Sequence, residues 1–510
     1  MPDAIINAAT RSHARALLVL TAVGLLSFLP GFLQIPPVDR DEARFAQASK
    51  QMIETGDYVN IRFQDEPRFK KPVGIYWLQS FVVRAARATG VRHALTTIWL
   101  YRLPSLAGAI GAVWLTYWAA LALVSRRAAM LAALMMAASV LLGVEARLAT
   151  TDATLLLTTV AAMGGLARLY VSAHGRPLSR AQGWGAAAVI WTALAAGVLL
   201  KGPVIVLVAA LCVAALVIRD RSIRWLAGLR PLVGLVWFAA LVLPWFLTVS
   251  AQSGPALIAD STRDILPKLF RGMEGHGAPP GYYFVLFWVT FWPGSMLAGL
   301  AGRAVWTSRR EPATSFLLAW LVPTWIVFEL AATKLPHYVL PLYPAAAILI
   351  AHVVDTGRLS RGPRFVHRLM SRGAAHALLW VIAVSILLSA VVLGVIAPRA
   401  KALFPSAAMA EVMSSTGCAR PQAVTAWTYQ EPSVIFLTGT ATRATDAAGA
   451  VIFLGGGPCR FAFVDAADAD SFRHRAEAAH LRFLQATSIE GINISKGTAV
   501  TLLTFWSGGP

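Results

Sequence analysis

Charged residues are scarce in this chain of 510 residues: they make up 14 %, against 57 % hydrophobic residues. An ordinary soluble domain carries about 25 % charged residues. The mean hydropathy is positive. Apolar runs long enough to cross a bilayer as helices recur from Ala16 to Val395. The composition therefore excludes an ordinary soluble protein and predicts a polytopic membrane protein.

Cysteines and metal-binding signatures are equally sparse. Of the 3 cysteines, Cys212 falls within an apolar run and is interpreted as a packing residue. Cys418 and Cys459 fall in the C-terminal tail, where the sequence leaves a disulfide and two free thiols equally open. No HxxxH or CxxC pattern supports a metal site by spacing. The run Gly455–Gly457 in the tail is interpreted as a turn and not as a phosphate-binding loop.

The apolar runs predict about eleven membrane-spanning helices, with an upper limit of about thirteen. The first run is followed by Pro36 and Pro37 and lacks a convincing small-residue cleavage site, so we interpret it as a retained helix and not as a signal peptide. The predicted spans are 16–34, 99–123, 128–145, 151–171, 184–200, 202–218, 231–250, 281–301, 313–331, 338–354 and 375–397. The predicted fold class is thus mainly α.

The formal net charge of +20 lies largely in short connections between predicted spans, which argues against nucleic acid as a partner. Alternate connections are rich in arginine, and the positive-inside rule assigns them to the cytoplasm. They contain Arg11, Arg15, Arg126, Arg127, Arg176, Arg180, Arg219, Arg221, Arg224, Arg230, Arg303, Arg309, Arg310, Arg358, Arg361, Arg364, Arg368 and Arg372. The segments 39–77 and 251–280 and the tail after Ala397 are then expected to face outward, into the periplasm of a bacterial envelope.

The composition changes after Ala397, where short apolar runs alternate with polar and Gly-rich turns. The runs are Ala423–Trp427, Ser433–Leu437, Val451–Leu454 and Phe461–Val464, and a helical pattern follows over Asp470–Leu484. The pattern predicts a small α/β domain of about a hundred residues. We therefore predict a transmembrane domain at 1–397, whose first outward loop is 35–98, and an outward α/β domain at 398–510.

A polar block at 39–77 interrupts the apolar chain directly after the first span. Asp39 and Glu42 have the spacing of a capping box, and Gly56 is a suitable helix stop, so a helix is predicted from about Arg40 to Thr55. This helix is too short and too polar to span a bilayer. We expect it to lie along the outer membrane surface.

A second short helix is predicted within the same block. Pro72 suits its first turn, and the helix carries Tyr76 and Trp77. Tyrosine and tryptophan are enriched at membrane interfaces. We therefore expect both rings at headgroup level.

Asp41 is the first candidate for chemistry in the polar block. A carboxylate at the membrane surface can act as a general base on an acceptor hydroxyl, but an acid in the first turn also favours the helix dipole, and both interpretations stay open. Outward cations favour a bound phosphate or pyrophosphate, although surface cations also meet lipid phosphates. They are Arg44, Arg62, Arg68, Lys70 and Lys71.

Charged residues also stand at the predicted outer ends of spans. They include Asp152, Lys201, Lys334 and His337. Snorkelling towards the headgroups is a sufficient explanation at a span edge, whereas both signs of charge on one membrane face are what a polar cavity needs. Glu329 lies deeper, where a charge costs about 2.5–3.5 kcal/mol on insertion scales.

The loop at 260–283 gathers further polar residues, among them Asp264 and His276. A single histidine in such a loop is usually structural, but it can also bind a metal or a sugar phosphate. Asp264 and His276 are therefore the residues that could ligate a divalent cation, with no spacing pattern to support them.

Several motifs follow one another along the chain. They are DEARFAQASKQMIETGDY and RFKKPVGIYWL in the polar block, TTDATLLL at 150–157, KGP at 201–203, EGHGAPPGYY at 274–283 and KLPHYVLPLYP at 334–344. Their combination resembles the GT-C membrane glycosyltransferases related to bacterial aminoarabinose transferase and to protein O-mannosyltransferases. The resemblance covers about residues 15–355, in the order found in that family.

The resemblance implies roles for individual residues. In such enzymes the acid that opens the first motif is the catalytic carboxylate, and Asp41 matches it. Arg44 and Lys71 match cationic positions near the lipid phosphate. The other predicted substrate-binding residues are Asp152, Lys201, His276, Lys334, His337 and Tyr338.

One position departs from the pattern of this family. The aminoarabinose transferases carry an acid immediately before the Lys-Pro pair, which has been associated with a metal. This chain has Lys70 there. The departure puts both a metal ion and aminoarabinose as the donated sugar in doubt.

The resemblance implies transfer of a sugar from polyprenyl (undecaprenyl) phosphate to an envelope acceptor such as lipid A or lipopolysaccharide, at the periplasmic face of the inner membrane. The implied partners are the lipid-linked sugar, a lipid or glycan acceptor and the membrane lipids. No cofactor is assigned, and a divalent cation is left open. A protein hydroxyl is an alternative acceptor. A lipid or solute transporter (flippase) is the alternative of another class, although transporters more often show internal repeats and broken helices near the midplane.

Overall fold

The computed structural model describes residues 2–253, 277–359 and 373–508, most of which are helical. The α-helices up to residue 253 are Pro2–Ala9, His13–Phe28, Asp41–Thr55, Gly74–Ala88, Ile98–Ala120, Arg126–Ala137, Val140–Glu145, Asp152–Ser172, Arg180–Lys201, Val204–Asp220 and Pro231–Ser253. Those from 277 to 399 are Tyr282–Thr290, Ser295–Thr307, Pro312–Leu330, Tyr343–Asp355, Ala374–Val391 and Ala397–Arg399, with 3-10 segments at Arg224–Leu229 and Pro336–Leu342. The prediction of a mainly α fold is confirmed.

Within the described residues, 7 helices are long and apolar enough to cross a membrane, or 8 if one bent pair forms a single span. They are Ile98–Ala120, Asp152–Ser172, Arg180–Lys201, Pro231–Gln252, Pro312–Leu330, Pro336–Asp355 and Ala374–Arg399. The bent pair, Tyr282–Thr290 and Ser295–Thr307, turns by 118°. Each of these helices overlaps a predicted span.

The remaining predicted spans are shorter or broken. His13–Phe28 has 16 residues and Val204–Asp220 has 17, so they extend over about 24–26 Å at 1.5 Å per residue, less than the hydrocarbon thickness. The run at 128–145 is interrupted at Ala138 and Ser139, where one helix ends and another begins. The count of about eleven spans therefore stays a prediction.

The chain forms two compact units. The helical unit comprises residues within 1–30, 69–75 and 103–391, and the mixed unit comprises residues within 31–68, 76–102 and 392–510. Most of the polar block thus belongs to the same compact unit as the C-terminal residues. The predicted domain boundary at 397/398 stays a prediction.

Two glycines in the helical unit allow close contacts between backbones. An added Cβ on Gly108 would lie 2.9 Å from the backbone nitrogen of Thr154, and one on Gly74 would lie 2.8 Å from the carbonyl oxygen of Leu199. Neither site has room for a side chain. These glycines therefore let Ile98–Ala120 approach the first turn of Asp152–Ser172, and let the segment after Lys71 approach the end of Arg180–Lys201.

Two short helices form the centre of the polar block in the mixed unit: the Asp41 helix (Asp41–Thr55) and the Tyr76 helix (Gly74–Ala88). The first confirms the helix predicted at about Arg40–Thr55, and it ends at Gly56, whose φ of +74° suits glycine. The rings of Phe45 and Tyr76 lie 5.4 Å apart. Between the two helices, β1 (Arg62–Phe63) and β2 (Glu66–Pro67) form an antiparallel hairpin.

Three expectations about these helices are corrected. No side chain caps the Asp41 helix, because Asp39 and Glu42 bind other groups, so the predicted capping box is wrong. The Tyr76 helix begins at Gly74, after Pro72. Tyr76 itself is fully buried, whereas Trp77 is exposed. Only one of the two rings is therefore free to reach the headgroups.

The C-terminal part of the mixed unit is built on a five-stranded sheet of order β4-β3-β5-β7-β6. Its strands are β3 (Gln422–Ala426), β4 (Arg443–Thr445), β5 (Arg460–Asp465), β6 (Leu484–Asn493) and β7 (Thr498–Trp506), and its helices are Pro405–Ser415, Pro432–Thr438, Ala447–Gly455 and Ala469–Ala478. β3 is parallel to β4 and β5, whereas β7 is antiparallel to β5 and β6. The prediction of a small α/β region is confirmed. A disulfide joins Cys418 and Cys459.

The Asp41 helix contacts this C-terminal region through polar side chains on one face. Gln47 Nε2 donates to the Thr440 hydroxyl at 2.8 Å, and the buried Lys50 Nζ donates to the Phe436 carbonyl oxygen at 2.9 Å. Because Gln47 and Lys50 are three residues apart, they lie on the same helical face. The C-terminal region therefore fixes the rotation of the helix that presents Asp41.

Candidate active site

Asp41 is the first residue of its helix and is exposed. The preceding residue, Arg40, has a φ of +69°, a positive value that is uncommon outside glycine and that turns the chain sharply into the helix. The Arg40 guanidinium donates to the Ser495 carbonyl oxygen at 2.5 Å. Asp41 is thus an accessible carboxylate on a well-defined turn, as a general base requires.

The neighbouring acid, Glu42, has a different environment. It is buried and pairs with the fully buried Arg102, with Arg102 Nε 2.7 Å from Glu42 Oε1. Its other oxygen accepts from Arg102 and from the backbone N–H of Val38, each at 2.8 Å. Arg102 also donates to the carbonyl oxygens of Phe32, Ile35 and Pro36. Glu42 therefore fixes the chain leading into the helix and is not available to a substrate.

Asp39 ties the same segment to the C-terminal region. Its Oδ1 accepts from the backbone N–H of Ser433 at 3.0 Å. Ser433 Oγ bonds Ser406 Oγ at 2.5 Å, and Ser406 Oγ bonds the Tyr429 hydroxyl at 2.9 Å. Burial raises the pKa of Asp39 to about 6, with Glu431 adding to the rise and Arg44 opposing it. Asp39 therefore changes its charge near neutral pH, two residues before Asp41.

Arg44 and Arg68 place positive charge near Asp41. Burial lowers the pKa of the half-buried Arg44 from its ordinary value, Arg68 lowers it further, and Asp41 and Glu431 oppose the shift. Arg68 lies over the ring of Phe45, 5.7 Å from its centroid. Two guanidinium groups that repel each other in a partly buried site favour an anion between them.

A second cluster lies in the helical unit and contains four of the predicted residues. Lys201 Nζ and Asp152 Oδ1 form a buried ion pair. His337 Nε2 lies 3.9 Å from Asp152 Oδ1, and Lys201 Nζ lies 5.5 Å from the centre of the Tyr338 ring. Lys71 is close enough to stabilise the charge of Asp152. The structure therefore brings Asp152, Lys201, His337 and Tyr338 together.

The sequence prediction missed Glu145 in this cluster. Its Oε1 lies 3.7 Å from His337 Nδ1, and its Oε2 accepts from the Thr150 hydroxyl at 2.9 Å. His337 thus lies between two buried carboxylates. The signal available in the sequence was an acid at the end of the apolar run 128–145, only seven positions before Asp152.

Lys334 and Glu329 make structural contacts. Lys334 Nζ donates to the carbonyl oxygens of Ala278 and Ala331, at 2.7 Å and 2.6 Å. Glu329 accepts from the backbone N–H groups of Gly281 and Phe284, at 2.9 Å and 3.0 Å, and so satisfies the start of Tyr282–Thr290. These contacts account for the charges of the buried Lys334 and the half-buried Glu329, and a substrate-binding role for Lys334 stays a prediction. Asp264 and His276 lie outside the described residues.

Three groups in the helical unit could hold a divalent cation. Glu145, Asp152 and His337 each offer a ligand atom, and these atoms lie within 4.8 Å of one another. Carboxylate and imidazole donors suit Zn²⁺ and similar ions. However, the Lys201 ammonium already neutralises Asp152, so the set fits a cation only if Lys201 withdraws. We assign no chemical step to a cation.

Sequence comparisons relate this chain to membrane transferases. A family model described as dolichyl-phosphate-mannose-protein mannosyltransferase matches residues 87–252. The chain is also similar to two proteins named undecaprenyl phosphate-alpha-4-amino-4-deoxy-L-arabinose arabinosyl transferase. That of Erwinia tasmaniensis is 28% identical over 327 residues, 61% of this chain and 54% of the relative. That of Yersinia pestis is 26% identical over 334 residues, 62% of this chain and 55% of the relative. The chain thus spans about half of the length of these curated relatives.

Structural comparisons extend over almost the whole chain. ArnT from Cupriavidus metallidurans, solved bound to undecaprenyl phosphate, has a TM-score of 0.75 at 18% identity, covering 95% of this chain and 97% of that one. The archaeal oligosaccharyltransferase AglB from Archaeoglobus fulgidus has a TM-score of 0.53 at 11% identity, covering 96% and 74%. Identities this low show the fold alone. The chain therefore shares the fold of these transferases, and part of its sequence is similar to the aminoarabinose transferases and to the protein mannosyltransferase family.

Proposed function

We propose that this protein is a glycosyltransferase that moves a sugar from a polyprenyl phosphate, undecaprenyl phosphate in bacteria, to an acceptor hydroxyl of the cell envelope. The names of its curated relatives and the lipid phosphate bound to ArnT support this donor class. One local observation carries the proposal: Asp41 is exposed beside Arg44, whereas Glu42 is committed to its buried pair with Arg102. Of the two adjacent acids, Asp41 is therefore available for catalysis and Glu42 has a structural role.

The proposed reaction breaks one bond and forms one. The acceptor oxygen attacks the anomeric carbon of the donor, while the bond from that carbon to the phosphate oxygen breaks. The electron pair leaves with the polyprenyl phosphate, and the acceptor proton passes to Asp41 as general base. Arg44 stabilises the negative charge that grows on the leaving phosphate. The kinship implies inversion at the anomeric carbon.

The helical-unit cluster has a separate role in this proposal. Asp152, Lys201 and His337 form a preorganised polar group with Tyr338, whose ring can contact a sugar or a lipid headgroup. The buried Asp152–Lys201 pair is costly to assemble unless it is well hydrogen-bonded. The presence of this ion pair in the apolar unit therefore favours a role for the cluster in recognising a polar group of the substrate.

The acceptor that we propose is lipid A or a related envelope lipid, on the strength of the kinship with aminoarabinose transferases, whose name gives undecaprenyl phosphate-linked aminoarabinose as the donor. The site would then act at the periplasmic face of the inner membrane. A protein hydroxyl is the second candidate, favoured by the match of residues 87–252 to the protein mannosyltransferase model. Lys70 keeps the identity of the sugar open, because the aminoarabinose transferases carry an acid at that position.

Purified protein in lipid nanodiscs tests the function. It is mixed with undecaprenyl phosphate carrying labelled sugars, and with either lipid A or a serine- and threonine-rich peptide. Mass spectrometry then follows free undecaprenyl phosphate and the glycosylated acceptor. Equal amounts of free undecaprenyl phosphate and glycosylated acceptor support transfer, and the acceptor that becomes glycosylated is the substrate. The transporter alternative needs the same protein in sealed vesicles, where intact donor that crosses the membrane without any new glycosidic bond would support it. Envelope lipids, glycans and proteins from cells with and without the protein provide the control.

A further inference from the structure

The carboxyl edge of the parallel strands in the mixed unit has no role in the proposed reaction. The neighbouring parallel strands β3 and β5 end there, at Ala426 and Asp465. From this pair the chain continues in opposite directions, from β3 to β4 on one side and from β5 to β6 on the other. Open α/β sheets bind their ligands at such a switch point. The topology therefore indicates where in the mixed unit a ligand binds.

The turn of the β6–β7 hairpin lies at the same edge. β7 is antiparallel to β5 with Leu502 opposite Asp465, so the start of β7 and the turn before it extend beyond the carboxyl end of β5. Asn493 Nδ2 donates to the Thr428 carbonyl oxygen at 3.2 Å, and Lys496 Nζ lies 3.4 Å from the same oxygen. The turn and the loop after β3 thus form one surface. We call it the strand-edge surface; it comprises residues 427–430, 465 and 493–496.

An aromatic ring and polar groups are exposed on the strand-edge surface. Trp427, directly after β3, is 60% exposed, and Lys496 is an exposed donor. The half-buried Asp465 accepts from the Thr428 hydroxyl at 2.7 Å with one oxygen, and from the backbone N–H of Ala467 at 2.9 Å with the other. A carboxylate has about four acceptor positions, so Asp465 can accept further bonds from a ligand.

The side chains of this surface match the chemistry of a sugar ring. A sugar has a flat face of C–H groups and a rim of hydroxyl groups, so it binds where an aromatic ring lies beside hydrogen-bonding side chains. Single apolar residues are common on surfaces, but Trp427 lies at the edge that the topology selects. A membrane is a poorer partner, although tryptophan is enriched at membrane interfaces, because Asp465 and the exposed Asp468 repel anionic headgroups.

The strand-edge surface is joined to the segment that carries Asp41. The Arg40 guanidinium donates to the carbonyl oxygen of Ser495, in the hairpin turn. Ser495 Oγ donates to Glu431 Oε2 at 2.7 Å, which connects the turn to the end of the loop after β3. Because Arg40 directly precedes Asp41, a ligand on this surface lies beside the proposed base.

We propose that the strand-edge surface binds a sugar residue of the acceptor, a hexose or a hexosamine. The Trp427 ring packs against the C–H face of the sugar, Asp465 accepts from its hydroxyl or amino groups, and Lys496 donates to a further hydroxyl. The use of this site by the acceptor rests on the proposed function, whereas sugar binding itself does not. Such a site favours an acceptor that contains sugars, such as lipid A, over a protein hydroxyl.

Binding of two soluble probes, a glucosamine disaccharide and mannose, tests the proposal on the full-length protein in nanodiscs. Trp427→Ala removes the ring, whereas Asp465→Asn removes the charge and keeps an oxygen for the backbone N–H of Ala467. We expect each variant to weaken binding of the probe that the wild type binds by about 10-fold or more. We expect Trp427→Phe, which keeps an aromatic face, to retain part of the affinity.

Ile452→Ala is the matched control. Ile452 is 77% exposed and lies on the helix Ala447–Gly455, which begins beyond the carboxyl end of β4 and leads back to the start of β5. It is thus a large apolar side chain exposed in the same region but outside the strand-edge surface. We expect the control to bind both probes like the wild type, and all variants to keep the wild-type melting temperature because the changed side chains are at least partly exposed.

Three results would overturn the inference. The first is a wild type that binds neither probe, or a Trp427→Ala variant with unchanged affinity for both. The second is weaker binding of a serine- and threonine-rich peptide by Trp427→Ala with unchanged sugar affinity, which would assign the surface to a protein acceptor. The third is stronger quenching of the wild type than of Trp427→Phe by brominated lipids, which would place the Trp427 ring in the membrane.

The transfer assay separates this inference from the proposed function. If sugar is transferred, Trp427→Ala should raise the KM for the acceptor by about 10-fold and affect kcat and the KM for the donor much less. Transfer with an unchanged acceptor KM and unchanged sugar affinity leaves the proposed function intact and overturns the sugar site. Weakened sugar binding in a protein that never transfers sugar leaves the sugar site intact and overturns the proposed activity.

Discussion

The pair of Glu42 and Arg102 allows the sharpest prediction about stability. Arg102 is 0% exposed and has five N–H donors, all of which find acceptors: two on Glu42 and three on the carbonyl oxygens of Phe32, Ile35 and Pro36. Glu42→Gln would keep one acceptor oxygen but turn an amide N–H group towards a guanidinium. It would also leave a buried positive charge without a counter-ion. Breaking a buried pair in this way costs about 3–5 kcal/mol.

The assay is unfolding of the purified protein by SDS in mixed micelles, followed by tryptophan fluorescence. Hydrogen exchange of residues 32–42 shows whether the loss is local. The control is Asp41→Asn, the same chemical change one residue earlier at an exposed site, which should change the free energy of unfolding by less than about 0.5 kcal/mol. Replacing both partners, as in Glu42→Leu with Arg102→Met, should recover only part of the loss, because no buried charge remains but the carbonyl oxygens of Phe32, Ile35 and Pro36 lose their donor. A Glu42→Gln protein within about 1 kcal/mol of the wild type would refute this account of the pair.

Three further predictions concern single features. Burial raises the pKa of Asp39 from 3.8 to about 6, so the folded state binds the Asp39 proton more tightly than the unfolded state does. This difference adds about 3 kcal/mol to the free energy of unfolding below pH 3.8. The contribution is lost as the pH rises to about 6. Asp39→Asn should remove that dependence and be more stable at pH 7, as measured by unfolding at a series of pH values; equal pH dependence of both proteins would contradict it. Asp152→Asn should cost about 3–5 kcal/mol by leaving Lys201 buried and unpaired, and adding Lys201→Met should restore part of it; a double variant no better than the single one would argue against the pair. Removing the disulfide with Cys418→Ser and Cys459→Ser, which opens a loop of 41 residues, should lower the free energy of unfolding by about 4 kcal/mol, and an unchanged unfolding curve would show that the bridge adds no stability.

Local signals were sufficient for much of the fold. Long apolar runs identified the spanning helices, since nothing else in a sequence satisfies so many backbone groups in lipid. The Asp41 helix was predicted from the capping-box spacing of Asp39 and Glu42 and from Gly56 at its end; the helix and its Gly56 stop are confirmed, although no side chain caps it. These signals act within one element, so they can be read without knowing what the element contacts.

Long-range partners explain what the sequence did not show. Glu42 was predicted to cap its helix, whereas its partner is Arg102, sixty positions later. A charged residue inside the apolar run 99–123 was a sign that a buried acid had to exist. Asp39 likewise binds Ser433, almost four hundred positions away. The capping-box spacing of Asp39 and Glu42 carries no information about these two distant partners.

The C-terminal region shows a second limit. Of its four apolar runs, two are strands and two are helices, because a run of four or five apolar residues has no period that separates the two structures. Pro432 at a helix start and Asp446 as an N-cap were the usable signals. The predicted helix at 470–484 ends at Ala478, and Leu484 begins β6 instead.

The most direct test of the central claim is the rate of sugar transfer by Asp41→Asn in nanodiscs, with undecaprenyl phosphate affinity measured on the same preparation. The variant keeps the size of the side chain and removes the base. We predict that transfer falls by a factor of about 10²–10⁴ while the affinity for undecaprenyl phosphate and the melting temperature stay close to those of the wild type. Near-normal transfer by Asp41→Asn would contradict the assignment of Asp41 as the catalytic base.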